Sequence, residues 1–434
     1  MKSMLKQKRF ITAALVLALL IITAGCARKG AEQAVAGKPA VADFSSPLRL
    51  STINTDAAEP VAAAASDGNV YVAWVEHAAK RQADVLLTKL DASGKQVFPP
   101  VRVNTQAGQA TAWRGDPPTI AVAKDGTIYV GWTARAAAEG HATNLFLSTS
   151  RDGGKTFEPP VKVNDDAKEV VHGMHSLAID ERGRVFLAWL DERSINMYDE
   201  NGKLDEHKME ANREVYAASS EDGGRTFSQN RLVAREACPC CKTAVTAGAD
   251  GRVYVAWRQV LPGNYRHIAV ASSTDGGQTF SSPVIASDDR WMIAGCPVSG
   301  PALSLASDGA LRVLWYSEGE AGKPGLYWSE SRDGGKSFTS RKPLAEGTAF
   351  GNPQLLAGAG PGNSLTAIWE SNQAGASKII VARLDNTGVP KVSEIPSQGQ
   401  LPSAVAIREQ LYIAYITKEN EQRSIWLVRA KATA

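Results

Sequence analysis

The chain has 434 residues and a formal net charge of +3 at pH 7. Four of its positive charges stand at the N-terminus, at Lys2, Lys6, Lys8 and Arg9, so the rest of the chain is close to neutral. This balance excludes nucleic-acid binding as a function class, because phosphate recognition needs lysine and arginine clustered on one face.

The N-terminal segment has the pattern of an export signal. An apolar stretch over residues 10–22 is followed by small residues directly before Cys26. This pattern resembles the lipobox of bacterial lipoproteins, in which the cysteine is diacylated and becomes the first residue of the mature protein. We therefore predict a signal peptide over residues 1–25, a lipid anchor at Cys26 and a flexible tether over residues 26–45. Because Ala27 is not an acid, the resemblance favours the outer membrane over the inner membrane.

An apolar run that ends in an aromatic residue recurs through the rest of the chain. The seven copies end at Trp74, Trp132, Trp189, Trp257, Trp315, Trp369 and Tyr415. A run of small residues precedes each copy, usually across a glycine turn such as Asp125-Gly126, and further apolar runs follow it. Four antiparallel strands in every 50 to 60 residues or so are typical of β-propeller blades. The sequence therefore predicts an all-β fold, with a single propeller over residues 46–434.

A second repeat lies between the third and fourth apolar runs. It has the pattern Ser-X-Asp-Gly-Gly-X-Thr/Ser-Phe, with full copies at residues 150–157, 220–227, 273–280 and 331–338 and weaker forms at 91–98 and 385–388. The pattern is similar to the Asp box, or bacterial neuraminidase repeat, of sialidases and related propellers. The resemblance implies that the boxes are structural turns on the face opposite the active site.

The number of periods predicts the number of blades. Six periods supply four strands each, and a seventh at the C-terminus supplies three. The segment at residues 46–51 resembles a fourth strand, so we predict seven blades, with this N-terminal strand closing the ring and leaving no open edge. Six blades, the number in sialidases, are the alternative.

The small-residue run of each blade is predicted to be the inner strand, which lies beside the propeller axis. The loops before the inner strands and after the aromatic-ended strands are expected to share one face of the propeller, around an axial funnel where propellers usually bind ligands. The resemblance to sialidases implies arginines that hold a substrate carboxylate and a set of acid, base and nucleophile. The candidates for substrate binding are Arg114, Arg135, Arg193 and Arg258, and the catalytic candidates are Asp191, Glu318 and Tyr316. The sialidase catalytic motif set is not matched, since no motif identifies a nucleophilic tyrosine.

Ligands for soft metals concentrate in the loops that lead into the third, fourth and fifth inner strands. They are His172, Met174, His175, Cys238, Cys240, Cys241 and Cys296. Thiolate, thioether and imidazole groups suit copper or zinc. The alternative is disulfide bonding, which is usual for cysteines of exported proteins.

Three functions remain open from the sequence. The first is a monomeric cell-envelope lipoprotein that binds glycans at the axial funnel and hydrolyses them if it is an active exo-sialidase-like enzyme. The second is a copper-binding, zinc-binding or redox protein that uses the Cys/His/Met cluster. The third is a non-catalytic scaffold for partner proteins. The long polar insertion at residues 194–212 is interpreted as a lid or specificity element that partly covers the funnel, with disorder as the alternative.

Overall fold

The computed structural model describes residues 44–78, 82–111, 116–137, 140–293, 295, 297–356, 364–373, 375–384, 389–407 and 410–431. All of them belong to one compact unit that spans Gly37–Ala434. The predictions on Cys26, Arg114, Cys296 and the weak box at residues 385–388 lie outside the described residues. No helix in the described ranges is long and apolar enough to cross a membrane.

The described residues form β-strands almost throughout, with one short helix. The strands of the first half are β1 (Leu48–Arg49), β2 (Asp56–Ala64), β3 (Val70–His77), β4 (Ala83–Leu90), β5 (Val101–Arg102), β6 (Thr119–Val122), β7 (Ile128–Arg135), β8 (Thr143–Ser150), β9 (Val161–Lys162), β10 (His172–Ile179), β11 (Val185–Asp191), β12 (Arg213–Ser220) and β13 (Arg231–Ala237). The helix α1 (Glu206–Glu210) precedes β12 and begins at Asp205, whose side chain accepts a hydrogen bond from the Lys208 amide.

The second half continues the same pattern. Its strands are β14 (Ala244–Ala247), β15 (Val253–Leu261), β16 (Tyr265–Ser273), β17 (Val284–Ile285), β18 (Trp291–Met292), β19 (Ala302–Leu305), β20 (Leu311–Ser317), β21 (Gly325–Ser331), β22 (Lys342–Glu346), β23 (Phe350–Leu356), β24 (Leu365–Gln373), β25 (Ala376–Leu384), β26 (Pro390–Glu394), β27 (Gln400–Ile407), β28 (Gln410–Glu419) and β29 (Gln422–Lys431).

The strands pair in antiparallel groups of four. Five sheets are separate four-stranded groups: β2–β5, β6–β9, β19–β22, β23–β26, and β27–β29 together with β1. The groups β10–β13 and β14–β17 form one nine-stranded sheet, because Ala237 pairs with Gln259 and because β18 adds to β16. The all-β fold predicted from the sequence is therefore present.

The first and last described strands belong to one sheet. Strand β1 pairs antiparallel with β29, with Leu48 opposite Leu427 and Arg49 opposite Trp426. The amide of Leu50 extends this pairing by donating to the carbonyl of Ile425 at 2.8 Å. The segment expected to complete the C-terminal group thus lies beside it.

The groups follow one another around an axis. The inner strands β2, β6, β10, β14, β19, β23 and β27 each contact the next in this order, and β27 contacts β2. A hydrophobic cluster fills the space between each pair of neighbouring groups, including the last and the first. Each of these clusters buries one of the recurring aromatic residues, Trp74, Trp132, Trp189, Trp257, Trp315, Trp369 and Tyr415. The aromatic repeat is therefore the core of the interfaces between sheets.

The Asp boxes are tight turns between the third and fourth strands of a group, and they pack against the preceding group. In the first full copy, Asp152 accepts hydrogen bonds from the Thr156 amide at 3.0 Å and the Thr156 hydroxyl at 2.6 Å. Gly154 has a φ of +88°, and a Cβ there would lie 2.9 Å from Leu87 of the preceding group. Glycine is required at this position because an L side chain would strain the backbone and clash with the neighbour.

Candidate functional site

A cavity of about 750 Å³ lies on the axis where the inner strands begin. We call it the axial cavity. In each of the seven described groups, one inner-strand residue pairs with the residue that directly precedes the recurring aromatic. The residue two positions before that inner-strand residue lines the axial cavity in every group. These rim residues are Glu59, Pro117, Met174, Lys242, Gly300, Asn352 and Leu401. The repeat therefore places one variable side chain per group at the mouth of the cavity.

Four rim residues have a left-handed backbone. Glu59, Met174, Asn352 and Leu401 have φ between +49° and +55°, and the pairing register of their inner strands shifts at each of them. Such bulges bend a strand and redirect its side chains, and they concentrate beside functional sites. Glu370 supports two of them, since its carboxylate accepts bonds from the Asn352 side chain at 3.1 Å and the Leu401 amide at 2.9 Å.

Aromatic rings form one wall of the axial cavity. The rings of Trp291 and Tyr316 meet edge to face with centroids 5.8 Å apart, and Tyr316 meets Phe350 in the same way at 6.0 Å. All three residues line the cavity. Aromatic walls with a few polar groups are typical of small-molecule sites.

Two of the three catalytic candidates, Tyr316 and Glu318, lie in contact with each other. The Tyr316 hydroxyl donates a hydrogen bond to the Glu318 carboxylate and accepts one from the Ala349 amide at 3.1 Å. Burial and the Glu318 carboxylate raise the pKa of Tyr316 well above its ordinary value of 10.0. The phenol therefore stays protonated at neutral pH and faces an exposed carboxylate that can exchange a proton with it.

Lys242 is the only cation among the described residues that line the axial cavity. Burial lowers its pKa to about 8, although the Asp116 carboxylate acts in the opposite direction. Its backbone is fixed by Gly300, because a Cβ on Gly300 would lie 2.1 Å from the Lys242 carbonyl oxygen. Lys242 is not among the residues predicted from the sequence, although it precedes Trp257 by the same 15 residues that separate four other rim residues from their aromatics.

The predicted arginine cluster is not assembled in the axial cavity. Arg193 binds Asp191, Asp165 and Asn230. Arg258 is buried and donates to the carbonyls of Ser299 and Tyr316, both at 2.9 Å. Arg135 is half-buried and lines a second cavity of about 450 Å³, which we call the side cavity. Arg193 and Arg258 are bound inside the fold and Arg135 lines the side cavity, so none of the three described candidates lines the axial cavity.

Asp191 also lies apart from the other two catalytic candidates. It is fully buried and accepts bonds from the Trp189 indole and the Arg193 guanidinium, both at 2.8 Å. It lines neither the axial cavity nor the side cavity. Its role is to neutralise Arg193 inside the third group.

The histidines and cysteines form separate sites. His172 is fully buried between Asp166 and the Thr143 carbonyl, and His175 contacts Asp116 through Nδ1 at 3.2 Å. The only group of potential metal ligands among the described residues is Cys238, Cys240 and Cys241, and Cys240 is disulfide-bonded. Among the described members of the predicted Cys/His/Met cluster, the histidines therefore lie apart from the cysteines.

Met174 and Cys240 are shared by the two cavities. Both residues line the axial cavity and the side cavity, so they form the wall between them. They also pack in one hydrophobic cluster.

Cys238 and Cys241 are free, buried thiols. Cys238 donates a hydrogen bond to the Cys241 sulfur over 3.6 Å. This bond and burial raise the pKa of Cys238. Burial opposes ionisation of Cys241, but the bond from Cys238 and the Arg258 guanidinium outweigh it and lower the pKa of Cys241 below its ordinary value of 9.0.

The insertion at residues 194–212 packs against the fourth group instead of covering the funnel. Glu210 pairs with the buried Arg266, and His207 contacts Asn264. None of the insertion's residues lines the axial cavity. The expected cover over the axial cavity is not seen, because Glu210 and His207 contact the β15–β16 hairpin instead.

Solved structures share this fold at low sequence identity. One is a protein of unknown function from Dyadobacter fermentans DSM 18053, with 14% identity, a TM-score of 0.53 and coverage of 89% of this chain and 99% of that one. Another is the polysaccharide lyase Uly1, with 12% identity, a TM-score of 0.54 and coverage of 86% and 90%. A third is a PL25 ulvan lyase, with 11% identity, a TM-score of 0.56 and coverage of 89% and 96%.

No curated protein matches the sequence. Residues 68–360 match the BNR repeat-like domain, which is more than half of the chain. This range contains all four full Asp boxes and five of the recurring tryptophans. The chain therefore belongs to the BNR repeat-like domain family.

Proposed function

We propose that the protein binds a carbohydrate in the axial cavity. The observation that carries this proposal is the lining of the cavity, where Trp291, Tyr316 and Phe350 stand beside the polar groups of Glu318 and Asn352. Aromatic rings pack on the apolar faces of sugars, and side-chain oxygens and amides satisfy sugar hydroxyls. The volume of about 750 Å³ suits an oligosaccharide of a few units.

Structures of similar fold support a glycan as the ligand. Two of the three structures compared above are named as polysaccharide lyases. The aromatic wall and the Tyr316–Glu318 pair of this chain are an independent observation that agrees with such a ligand. If the bound glycan is cleaved, Tyr316 and Glu318 are the groups placed to transfer a proton.

The charge of Lys242 favours an acidic sugar. Its ammonium group has no carboxylate within ion-pair distance among the described residues, and it lies on the rim of the cavity. A carboxylate or sulfate on the ligand would supply the missing counter-charge. Neutral sugars would gain only the aromatic and amide contacts.

Binding is tested with a panel of acidic and neutral oligosaccharides, by calorimetry and by assay for released reducing ends or unsaturated products. We expect saturable 1:1 binding of an acidic oligosaccharide. Tyr316→Phe retains the ring and tests proton transfer separately from binding. Absence of binding to every member of the panel by a folded protein would reject the carbohydrate proposal.

The architecture that supports this site is a closed ring of seven blades. The cyclic contacts of the inner strands and the pairing of β1 with β29 support it. We further propose that Cys26 anchors the ring to a membrane through a lipid, because the small residues before Cys26 match the lipobox pattern. Fractionation of wild type and Cys26→Ser tests the anchor: wild type is expected with the membranes and the variant in the soluble fraction.

A further inference from the structure

Three sulfur atoms form a compact cluster at the end of β13. The Sγ atoms of Cys238, Cys240 and Cys241 all lie within 4.8 Å of one another. Cys238 is 3.6 Å from Cys241 and 3.9 Å from Cys240. Cys240 is disulfide-bonded, whereas Cys238 and Cys241 are free. A dithiol thus stands next to a disulfide within one Cys-Pro-Cys-Cys segment.

A buried cation lies against this dithiol. Arg258 is 1% exposed and donates to backbone carbonyls, with no carboxylate partner among the described residues. Its Nη1 atom has no hydrogen-bond acceptor. Buried charges are almost always paired. The Cys241 sulfur, on which Arg258 acts directly, is the group that can supply a negative charge.

Access to the cluster differs between its members. Cys238 and Cys241 are each 1% exposed and pack with Val260 and Ala211. Cys240 is half-buried and lines both the axial cavity and the side cavity. The direct route for electrons between a molecule in either cavity and the buried dithiol therefore runs through Cys240.

We propose that Cys238 and Cys241 form a redox-active dithiol that exchanges with the disulfide of Cys240. Cys238 transfers its proton to Cys241 along their hydrogen bond, and the Cys238 thiolate attacks the Cys240 sulfur. This forms the Cys238–Cys240 bond and releases the former partner sulfur of Cys240 as a thiolate. Cys241 gives this proton to the sulfur released in the first step and, as a thiolate, attacks Cys238, which forms the Cys238–Cys241 bond and releases Cys240 as a thiolate.

The exchange is balanced without an external oxidant. One disulfide is consumed and one is formed, and the single proton of the dithiol ends on the sulfur released in the first step, while Cys240 leaves as a thiolate. Each attacking pair must approach from below 4 Å to the bond length of about 2.05 Å, which a small turn movement allows. The reduced Cys240 then faces the cavities and can reduce a small disulfide or peroxide there. This activity does not depend on carbohydrate binding.

Disulfide mapping tests the proposal on the full chain. Trypsin releases residues 236–242 as one peptide that contains all three cysteines. Protein is equilibrated anaerobically in glutathione buffers of graded composition, quenched with acid, alkylated, digested and sequenced by mass spectrometry. We expect the Cys238–Cys241 disulfide in oxidising buffers, and in mildly reducing buffers a population with this disulfide and an alkylated Cys240.

Variants separate the steps. Cys240→Ser should still form the Cys238–Cys241 disulfide with oxidised glutathione, at a rate at least about tenfold lower because the relay is absent. Cys26→Ser is the matched control and should behave as wild type. If Cys238 and Cys241 remain separately alkylated in every buffer while the wild-type protein stays folded by circular dichroism, the proposal is wrong.

Discussion

Gly300 packs so closely against Lys242 that a Cβ on the glycine would lie 2.1 Å from the lysine carbonyl oxygen. The Gly300→Ala variant must therefore displace the Lys242 backbone. We expect a loss of about 1–3 kcal/mol in the free energy of unfolding, which is typical of overpacking, together with weaker binding of an acidic oligosaccharide. Gly351→Ala is the matched control, because Gly351 also lines the axial cavity and a Cβ there meets no atom within 4 Å. Equal losses in both variants, measured by urea unfolding, would contradict this account.

Affinity for an acidic oligosaccharide should fall as the pH rises through about 8. Burial lowers the pKa of Lys242 to about 8, so its ammonium form is present below that pH and is lost above it. Calorimetry between pH 6 and 10 or so measures the effect. Lys242→Met should bind weakly at all pH values. Lys242→Arg should keep its charge and lose the pH dependence. A pH profile unchanged in Lys242→Met would show that another group titrates.

The Asp222 side chain should stabilise its turn at neutral pH. Burial opposes ionisation, but the hydrogen bonds from Thr226, Ser220 and Arg225 together outweigh it and lower the pKa of Asp222 to about 2. Because the pKa is lowered from 3.8, this stability is present above pH 3.8 and is lost as the pH falls through about 2. We expect Asp222→Ala to lose about 1–3 kcal/mol at neutral pH. The neighbouring exposed Glu221→Ala should be nearly neutral in the same thermal melts.

Cys241 should react as a thiolate at a pH where an ordinary cysteine is protonated. The hydrogen bond from Cys238 and the charge of Arg258 lower its pKa below 9.0, against the effect of burial. Arg266 and Arg213 add positive charge near Cys238. The rate of modification by methyl methanethiosulfonate, followed by mass spectrometry, should have its midpoint below 9.0. Arg258→Met should move the midpoint upward, whereas Arg258→Lys should retain most of the shift.

Much of the fold follows from two local patterns. The recurring aromatics, such as Trp132, identify the second strand of each group because burial between sheets requires a large apolar side chain at one fixed position. The Asp boxes identify turns because the Ser150 and Asp152 side chains satisfy the backbone within eight residues. Both features are local in the sequence, so no tertiary information is needed to find them.

The site was predicted less well because it depends on tertiary contacts. Arg193 and Arg258 look like ligand-binding arginines in the sequence, yet each is neutralised or solvated by groups far along the chain. Tyr316 and Glu318 were named from the sequence as separate candidates because both stand where one strand ends, and only the structure shows that their side chains are in contact. Lys242 was missed because a single lysine has no motif, and only its register in the inner-strand repeat places it on the axis.

The pairing of β1 with β29 has a mechanical consequence. A tether that leads from a membrane to residue 44 would enter the body beside its last strand, so any pull on the body would be applied along two paired residues and a few hydrogen bonds. Shear of this short pairing would separate β1 from β29 before the force reaches any other strand. The same adjacency of ends makes the body a candidate for circular permutation, in which residues 44 and 431 are joined by a short linker and new ends are opened at an exposed turn such as Asp125-Gly126.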